Sequence, residues 1–286
     1  MTNEDATVDA AGSPAQPAIH TIGPGDIRDA IVKGIADFEA MPTHVVFLCL
    51  IYPIAMLVVA RIYAGYDVLP LVFPLLTGYT LIGPLVAIGM YELSRRRERG
   101  LDTSRSHAFD VIRFASIGSI VALSALLMLI YIVWLGIAWT IYQLNFGGAA
   151  PESILAFALQ IVATPAGWAT IFVGCGVGFI FATVTFTLSV VSFPMLVDRN
   201  VGFVTAVQTS VRAVAANPIT MGIWAFIVAS GLLIGALPFF VGLAVVLPVL
   251  GHATWHLYRK VVEPGDLPVD QGETLSVGQG ETGVTG

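Results

Sequence analysis

The stretch that decides the fold is ASIGSIVALSALLMLIYIVWLGIAWTIYQL, residues 115–144, which contains no charged side chain. A helix needs about 20 consecutive apolar residues to cross the hydrocarbon core of a bilayer. Just before this stretch the sequence reads RRRERG, residues 95–100, so a long apolar run follows a strongly basic turn. The apolar stretch predicts a transmembrane helix. Because it is longer than a membrane crossing requires, we expect the helix to tilt or to project from the membrane.

Five further apolar runs predict further spans: residues 45–63, 68–91, 168–193, 219–236 and 237–258. The last two are adjacent, and Gly235 and Pro238 predict a tight hairpin between them. Another apolar stretch, residues 151–165, is too short to cross a membrane and is expected to be interfacial or re-entrant. The pattern therefore predicts an all-α, polytopic transmembrane helix bundle with about six spans.

The composition agrees with a membrane protein. Charged residues make up 11% of the 286 residues and hydrophobic residues 56%, and the mean hydropathy is +0.85. Soluble domains carry about 25% charged residues. The polar lead before Val45 has no basic segment or cleavage site, so the first span is expected to be retained.

The sequence divides into four predicted parts. Residues 1–24 form an N-terminal tail and residues 261–286 an acidic C-terminal tail, and both compositions are typical of disorder. Residues 25–43 form an amphipathic interfacial helix, and residues 44–260 form the six-span membrane domain. The two cysteines, Cys49 and Cys175, lie inside apolar runs and are interpreted as small buried residues rather than a disulfide.

The distribution of Lys and Arg predicts the orientation. With six spans, twelve of the thirteen basic residues fall on one side of the membrane, and Arg61 alone falls on the other. Basic residues concentrate in cytoplasmic loops. We therefore predict a multi-pass protein of the bacterial inner membrane with its N- and C-termini in the cytoplasm.

Three segments have the pattern of surface helices: residues 26–40, 104–113 and 201–216. In the first, Ile27, Ile31, Ile35 and Phe38 recur at helical spacing and predict the buried face, with Asp26 as the N-cap residue. Such helices either lie in the headgroup region or pack on one another beneath the bundle, and the sequence leaves both arrangements open.

Three strings carry a family resemblance: SFPMLVDRNVGFVTAVQTSVRAVAANP (residues 192–218), GLAVVLPVLGHATWHLYRK (residues 242–260) and GDIRDAIVKGIADF (residues 25–38). They resemble DUF2189, a family of predicted bacterial integral membrane proteins of unassigned function. The resemblance implies a six-span topology, and some members carry the label of cytochrome c oxidase subunit. It implies no catalytic or binding residues.

His252 and His256 are the candidate metal or haem ligands. They are four residues apart near the end of the sixth span, so both imidazoles lie on one helix face, and His44 and His107 are predicted on the same side of the membrane. The alternative is an interfacial aromatic belt that includes Trp255. No predicted span has a histidine at mid-depth, which argues against an electron-transfer subunit but leaves an accessory role open.

A transporter or channel would be expected to carry ionisable residues inside its spans, and here Glu92 and Asp198 lie only at span ends. Thr183 and Thr187 share a helix face that would line a polar path, although hydroxyls more often bond to backbone or to other helices. The prolines of the second span, Pro70, Pro74 and Pro84, predict a kinked or broken helix.

Arg95, Arg96, Arg97 and Arg99 are candidates for binding lipid headgroups. Basic residues near an anionic membrane surface contribute about 1 kcal/mol each. The alternative is that these charges only set the topology.

The sequence contains no phosphate-binding glycine loop, nucleophile elbow, HExxH motif or paired carboxylates, and its basic residues are not arranged for nucleic acid. We therefore predict a non-catalytic accessory or interaction protein of the inner membrane, with respiratory complexes as one possibility. Its expected partners are membrane lipids and other membrane proteins. A small-solute transporter or channel and a haem- or metal-binding membrane protein are the alternatives, and the sequence names no cofactor.

Overall fold

The computed structural model describes residues 17–41, 69–147, 153–237 and 242–262. The helices are α1 (Pro24–Ala40), α2 (Leu69–Glu98), α3 (Ile117–Phe146), α4 (Ile154–Ala163), α5 (Pro165–Ser189), α6 (Ser192–Asp198), α7 (Phe203–Ala216), α8 (Pro218–Ala236) and α9 (Leu243–Val261), with a 3-10 helix (Arg105–Arg113) between α2 and α3. These residues form no β-strand, so the all-α prediction is confirmed. The predicted span at residues 45–63 and His44 lie outside the described ranges.

Three helices of the described part are long and apolar enough to cross a membrane: Ile117–Phe146, Pro165–Asp198 and Pro218–Ala236. The second of these is α5 continued by α6. They coincide with the predicted third, fourth and fifth spans. Helices α2 and α9 cover the predicted second and sixth spans, and a total of six stays a prediction.

The membrane-length helices pack through small residues. Gly178 of α5 lies against the ring of Trp134 in α3, where an added Cβ would come within 3.2 Å of the ring. Trp134 also contacts the Phe181 ring at 5.7 Å. Helices α8 and α9 approach just as closely, since a Cβ at Gly235 would lie 3.2 Å from the backbone nitrogen of Leu243. This contact agrees with the predicted hairpin.

Helix α1 packs on α9 rather than standing apart. A Cβ at Gly34 would come within 2.7 Å of the Ala253 backbone, so the two helices cross almost in backbone contact. Ahead of α1, Ile19 forms an isolated antiparallel bridge with Val262. Ile19 and His20, which belong to the stretch predicted as a tail, therefore contact the end of α9, and the two ends of the described chain lie side by side.

The face that α1 packs against α9 is not its row of large apolar residues. Ile27 is buried as predicted, but its companions are Ala30, Gly34 and Asp37, whereas Ile35 is 40% exposed. The close crossing at Gly34 explains the difference, because only small side chains let α1 approach α9.

Three smaller predictions are also corrected. Asp26 is the third residue of α1 rather than its N-cap, and its Oδ2 accepts a hydrogen bond from the Gly23 nitrogen at 2.9 Å. Helix α2 is continuous from Leu69 to Glu98, so the alternative of a broken second span is wrong. Cys175 is exposed on α5 rather than buried.

Helices α1, α6, α7 and the last turns of α2 and α9 meet at one end of the described structure, which we call the polar end. Every residue of the short helix α6 is buried there. The Ser116 hydroxyl donates to the Leu196 carbonyl at 2.6 Å, and the Val191 nitrogen at the start of α6 donates to the Ser210 hydroxyl of α7 at 3.2 Å. These bonds tie α6 to α3 and α7.

Candidate functional site

Asp37 of α1 is the centre of a buried polar cluster that joins three helices. Its Oδ2 accepts hydrogen bonds from the Ser94 hydroxyl of α2 at 2.6 Å and from His256 Nε2 of α9 at 2.8 Å. Its Oδ1 accepts a hydrogen bond from Arg97 at 2.5 Å. The carboxylate is only 5% exposed. We call Asp37, Ser94, Arg97, His252 and His256 the Asp37 cluster.

His252 is completely buried within this cluster. Its Nδ1 lies 2.6 Å from the Ser94 hydroxyl oxygen and 3.8 Å from Asp37 Oδ2. An ionised carboxylate only accepts, so the Ser94 proton is assigned to the Asp37 bond and the His252 Nδ1 proton to the Ser94 oxygen. His252 Nε2 is then a lone-pair acceptor, and no described group hydrogen-bonds to it.

The surroundings of Asp37 keep it ionised. Burial alone would raise the pKa of this carboxyl, because a charge is costly away from water. The hydrogen bonds from His256 and Ser94 oppose this effect, and the pKa of Asp37 lies below its ordinary value. Side chains of the same protein therefore stabilise the ionised form of Asp37.

Glu92 of α2 is a second buried carboxylate with a dedicated partner. It is fully buried. Arg95 donates two hydrogen bonds to its carboxylate, from Nε at 2.6 Å and from a terminal nitrogen at 2.9 Å. The Arg95 guanidinium also lies over the Phe114 ring, 5.0 Å from its centroid. This bidentate geometry is the strong form of an arginine–carboxylate pair.

Asp198, the last residue of α6, is the third buried carboxylate. Its Oδ2 accepts a hydrogen bond from the Tyr258 hydroxyl at 2.9 Å and lies 3.3 Å from a terminal nitrogen of Arg259. Arg99 and Arg199 approach the same carboxylate at 3.5 Å each. Three guanidinium groups thus share one carboxylate.

The structure brings His252 and His256 together, as the sequence predicted, but around Asp37 rather than with other histidines. His107 lies on the 3-10 helix and contacts Asp102 and Asp110 instead. Among the described residues no group of three or more His, Cys, Asp and Glu is arranged to hold a metal ion. Metal or haem binding by His252 and His256 stays a prediction.

Each of the four arginines predicted to bind headgroups faces a carboxylate of the same chain. Arg95 and Arg96 face Glu92, and Arg97 faces Asp37. The Arg96–Glu92 distance is 3.7 Å, and Arg99 faces Asp198 at 3.5 Å. Headgroup binding at these arginines stays a prediction, and among the described residues neither Arg96 nor Arg99 has a carboxylate contact shorter than 3 Å.

Sequence reasoning missed Asp37 and Ser94, the residues that hold the cluster together. The available signal was the row Ala30, Gly34 and Asp37, which recurs at helical spacing and marks a face for close approach. The larger Ile31 and Ile35 obscured this row because they form the more hydrophobic face.

The family resemblance is confirmed. Residues 72–198 match DUF2189, which is described as a predicted integral membrane protein. This segment includes Glu92, Arg95–Arg99 and Asp198 but not Asp37, His252 or His256. No curated protein and no solved structure shows significant similarity to the chain.

Proposed function

We propose, from the match to DUF2189 and from the geometry of the polar end, that the chain is a non-catalytic multi-pass protein of the bacterial inner membrane that acts by contacting other membrane proteins. The observation that carries this proposal is the pairing of the buried carboxylates. Asp37, Glu92 and Asp198 are each compensated by cations of the same chain. Charges used in this way support a structural role for the polar end rather than a reactive one.

The contact surface that we propose is the outer face of α5. Only 6% of the most apolar window in Pro165–Asp198 is buried, against 22% for the other two membrane-length helices. Phe172 and Phe179 are 70% and 73% exposed and are seven residues apart, so they share a face. A broad aromatic face on a sparsely packed helix suits a partner helix in the membrane.

Affinity purification from native membranes tests this proposal. The wild-type chain is expected to retrieve a reproducible membrane partner that the Phe172→Ala/Phe179→Ala double variant loses. Phe226→Ala is the matched control, because Phe226 is 72% exposed on α8. Respiratory complexes are the first candidates to examine, since some members of the family carry an oxidase label. If no partner is reproducible, or if the control loses it equally, the proposal fails.

The polar end is proposed to face the cytoplasm. It carries Arg95–Arg99, Arg259 and Lys260, and the positive-inside rule places such residues there. Reporter fusions after Gly100 and at both chain ends are expected to give the cytoplasmic signal. An external signal after Gly100, or opposite signals at the two ends, would contradict this orientation.

A proton-coupled transporter is the second candidate, because His252 Nε2 is buried without a described hydrogen-bond partner and lies beside Asp37 through Ser94. Buried ionisable groups often form proton relays in membrane proteins. The hydroxyl path gains no support from Thr183, which bonds back to the Phe179 carbonyl at 2.8 Å. Proton flux into proteoliposomes that His252→Ala abolishes and His107→Ala preserves would favour transport, and no flux would exclude this proton-coupled mechanism.

A further inference from the structure

The membrane-length stretch Pro165–Asp198 is interrupted where α5 passes into α6. Val190 and Val191 lie outside both helices. Pro194 accounts for the break, because proline has no backbone N–H to donate to the Val190 carbonyl and its ring crowds that carbonyl. The break therefore lies one turn before the proline, where a proline kink is expected.

A hydroxyl from another helix bridges the break. In a regular helix the Val191 nitrogen would donate to the Thr187 carbonyl. It donates instead to the Ser210 hydroxyl of α7 at 3.2 Å, and that hydroxyl donates to the Thr187 carbonyl at 2.7 Å. Ser210 is completely buried. Both backbone groups thus have a partner although the turn between them is open.

Ser192 supplies a second hydroxyl bond at the same place. Its hydroxyl donates to the Leu188 carbonyl of the preceding turn at 2.6 Å, a type of bond that often bends helices. Prolines are tolerated in membrane helices where Ser or Thr side chains satisfy the backbone groups that the proline frees. Ser192, Pro194 and Ser210 therefore act together to stabilise an open turn.

The protein holds the two sides of this open turn differently. Every residue of α6 is buried, and the Ser116 hydroxyl of α3 bonds to its backbone. On α5, by contrast, Phe172 and Phe179 are largely exposed. Gly178 has no side chain to interlock with the Trp134 ring of α3. Helix α6 is therefore fixed in the polar end, whereas α5 leaves its outer face open.

Thr185 indicates that α5 is not fully matched in its present position. It lies on the buried side of α5 together with Ser189, shortly before the break. Its hydroxyl is buried and has no hydrogen-bond partner among the described residues. A buried polar group without a partner is costly, and a displacement of α5 about the break would change its neighbours.

We propose that residues 189–192 form a hinge, bridged by Ser210, about which α5 changes its tilt while α6 and the polar end stay in place. The Val191 nitrogen and the Thr187 carbonyl bond to a hydroxyl that can rotate, rather than to each other. Their separation can therefore change while both keep a partner. Ser210 is the positioning residue of the hinge. This inference goes beyond the proposed contact function and does not depend on a partner at α5.

The test measures distances between spin labels on the full chain in lipid nanodiscs by double electron–electron resonance. One label is attached to Cys175, which is exposed on α5, in a Cys49→Ser background. The other is attached to Leu101→Cys, an exposed position that follows α2. The reference pair is Glu39→Cys with Leu101→Cys, without either native cysteine, because Glu39 is also exposed at the polar end. The α5 pair is expected to give the broader distance distribution.

Two variants have expected effects of opposite sign. Ser210→Ala removes the bridge, so the distribution of the α5 pair widens. The Val191 amide then exchanges its hydrogen about tenfold faster, as expected for the loss of one hydrogen bond. Pro194→Ala restores the missing backbone donor, so the junction stiffens and the distribution narrows. Ser124→Ala is the matched control and changes neither measurement, because the Ser124 hydroxyl bonds to a carbonyl of its own helix.

The hinge is rejected if the α5 pair gives a distribution as narrow as the reference pair. It is also rejected if Ser210→Ala changes neither the distribution nor the exchange of the Val191 amide, or if Ser124→Ala widens the distribution equally. If Ser210→Ala does not fold, Pro194→Ala decides against the wild type, and a distribution that fails to narrow overturns the proposal.

Discussion

The polar end and the outer face of α5 differ in how far their side chains are buried by the rest of the protein. At the polar end even a seven-residue helix, α6, is buried along its whole length, and buried charges are held by partners from the same chain. Along α5, phenylalanine side chains remain open to their surroundings. The chain completes its own core at one end and leaves the lipid bilayer, or a partner, to complete the other surface.

The difference teaches where sequence changes should matter. A buried charge whose partner is removed is costly, because no water is present to replace the partner. An exposed apolar side chain in a membrane merely exchanges one apolar neighbour for another. The predictions below test this contrast, from the largest expected effect to the smallest.

Asp37→Ala should be the most damaging change. It leaves Ser94, His256 and Arg97 without their shared acceptor, so we expect the free energy of unfolding to fall by about 3–5 kcal/mol. Thermal unfolding in detergent measures the loss. The matched control is Glu39→Ala on the same helix, because Glu39 is exposed; a similar loss in both variants would contradict the contrast.

Gly34→Ala tests the close crossing of α1 and α9. The new methyl group would meet the Ala253 backbone within 3 Å, and such overpacking costs about 1–3 kcal/mol. We also expect faster proteolytic removal of α1, measured by limited proteolysis. Gly25→Ala is the control, because a Cβ there meets nothing within 4 Å. Equal protease resistance of both variants and wild type would show that α1 is held elsewhere.

Acid should weaken the Asp37 cluster in a defined window. The folded-state pKa of Asp37 lies below its ordinary value, so its contribution is complete above the unfolded value of about 3.9. That contribution is lost as the pH falls from about 4 through the folded value. Unfolding measured against pH should show a shallower acid limb for Asp37→Asn than for wild type. Identical acid limbs would show that the carboxylate is not stabilised by folding.

Phe179→Ala should have the smallest effect on stability. Its side chain is 73% exposed, and changes away from packed contacts usually stay within about 0.5 kcal/mol. Trp134→Ala is the comparison, because Trp134 fills the contact with Gly178 on the inner face of α5. Thermal unfolding of the two variants should differ clearly, and a loss of more than 2 kcal/mol in Phe179→Ala would mean that the outer face is packed after all.

The membrane-length helices could be predicted closely because an apolar run is a local property. The stretch 115–144 became Ile117–Phe146, and 219–236 became Pro218–Ala236. The prediction 168–193 began late, because Thr164 caps α5 by accepting from the Gly167 nitrogen at 3.0 Å. A capping hydrogen bond depends on one side chain, and an average of hydropathy over many residues does not detect it.

The Asp37 cluster could be predicted only in part. The spacing of His252 and His256 indicated a shared face, and the structure uses that face. Their partner could not be identified, because Asp37 lies 219 residues from His256 and 57 from Ser94. Judged from the sequence of α1 alone, Asp37 would be expected on the solvent-facing side. Its burial becomes favourable only because the distant donors Ser94 and His256 form hydrogen bonds with it.

The junction between α1 and α9 joins the first and last described helices, so it can form only after α9 has been made. Chains emerge from the ribosome N-terminus first. Helix α1 is therefore made early, whereas its packing partner α9 is made late. Until translation passes His256, Asp37 has no histidine partner and Gly34 has no Ala253 to meet. A product that stops before α9 would leave this face of α1 uncovered and would leave Asp37 with only its α2 partners, Ser94 and Arg97.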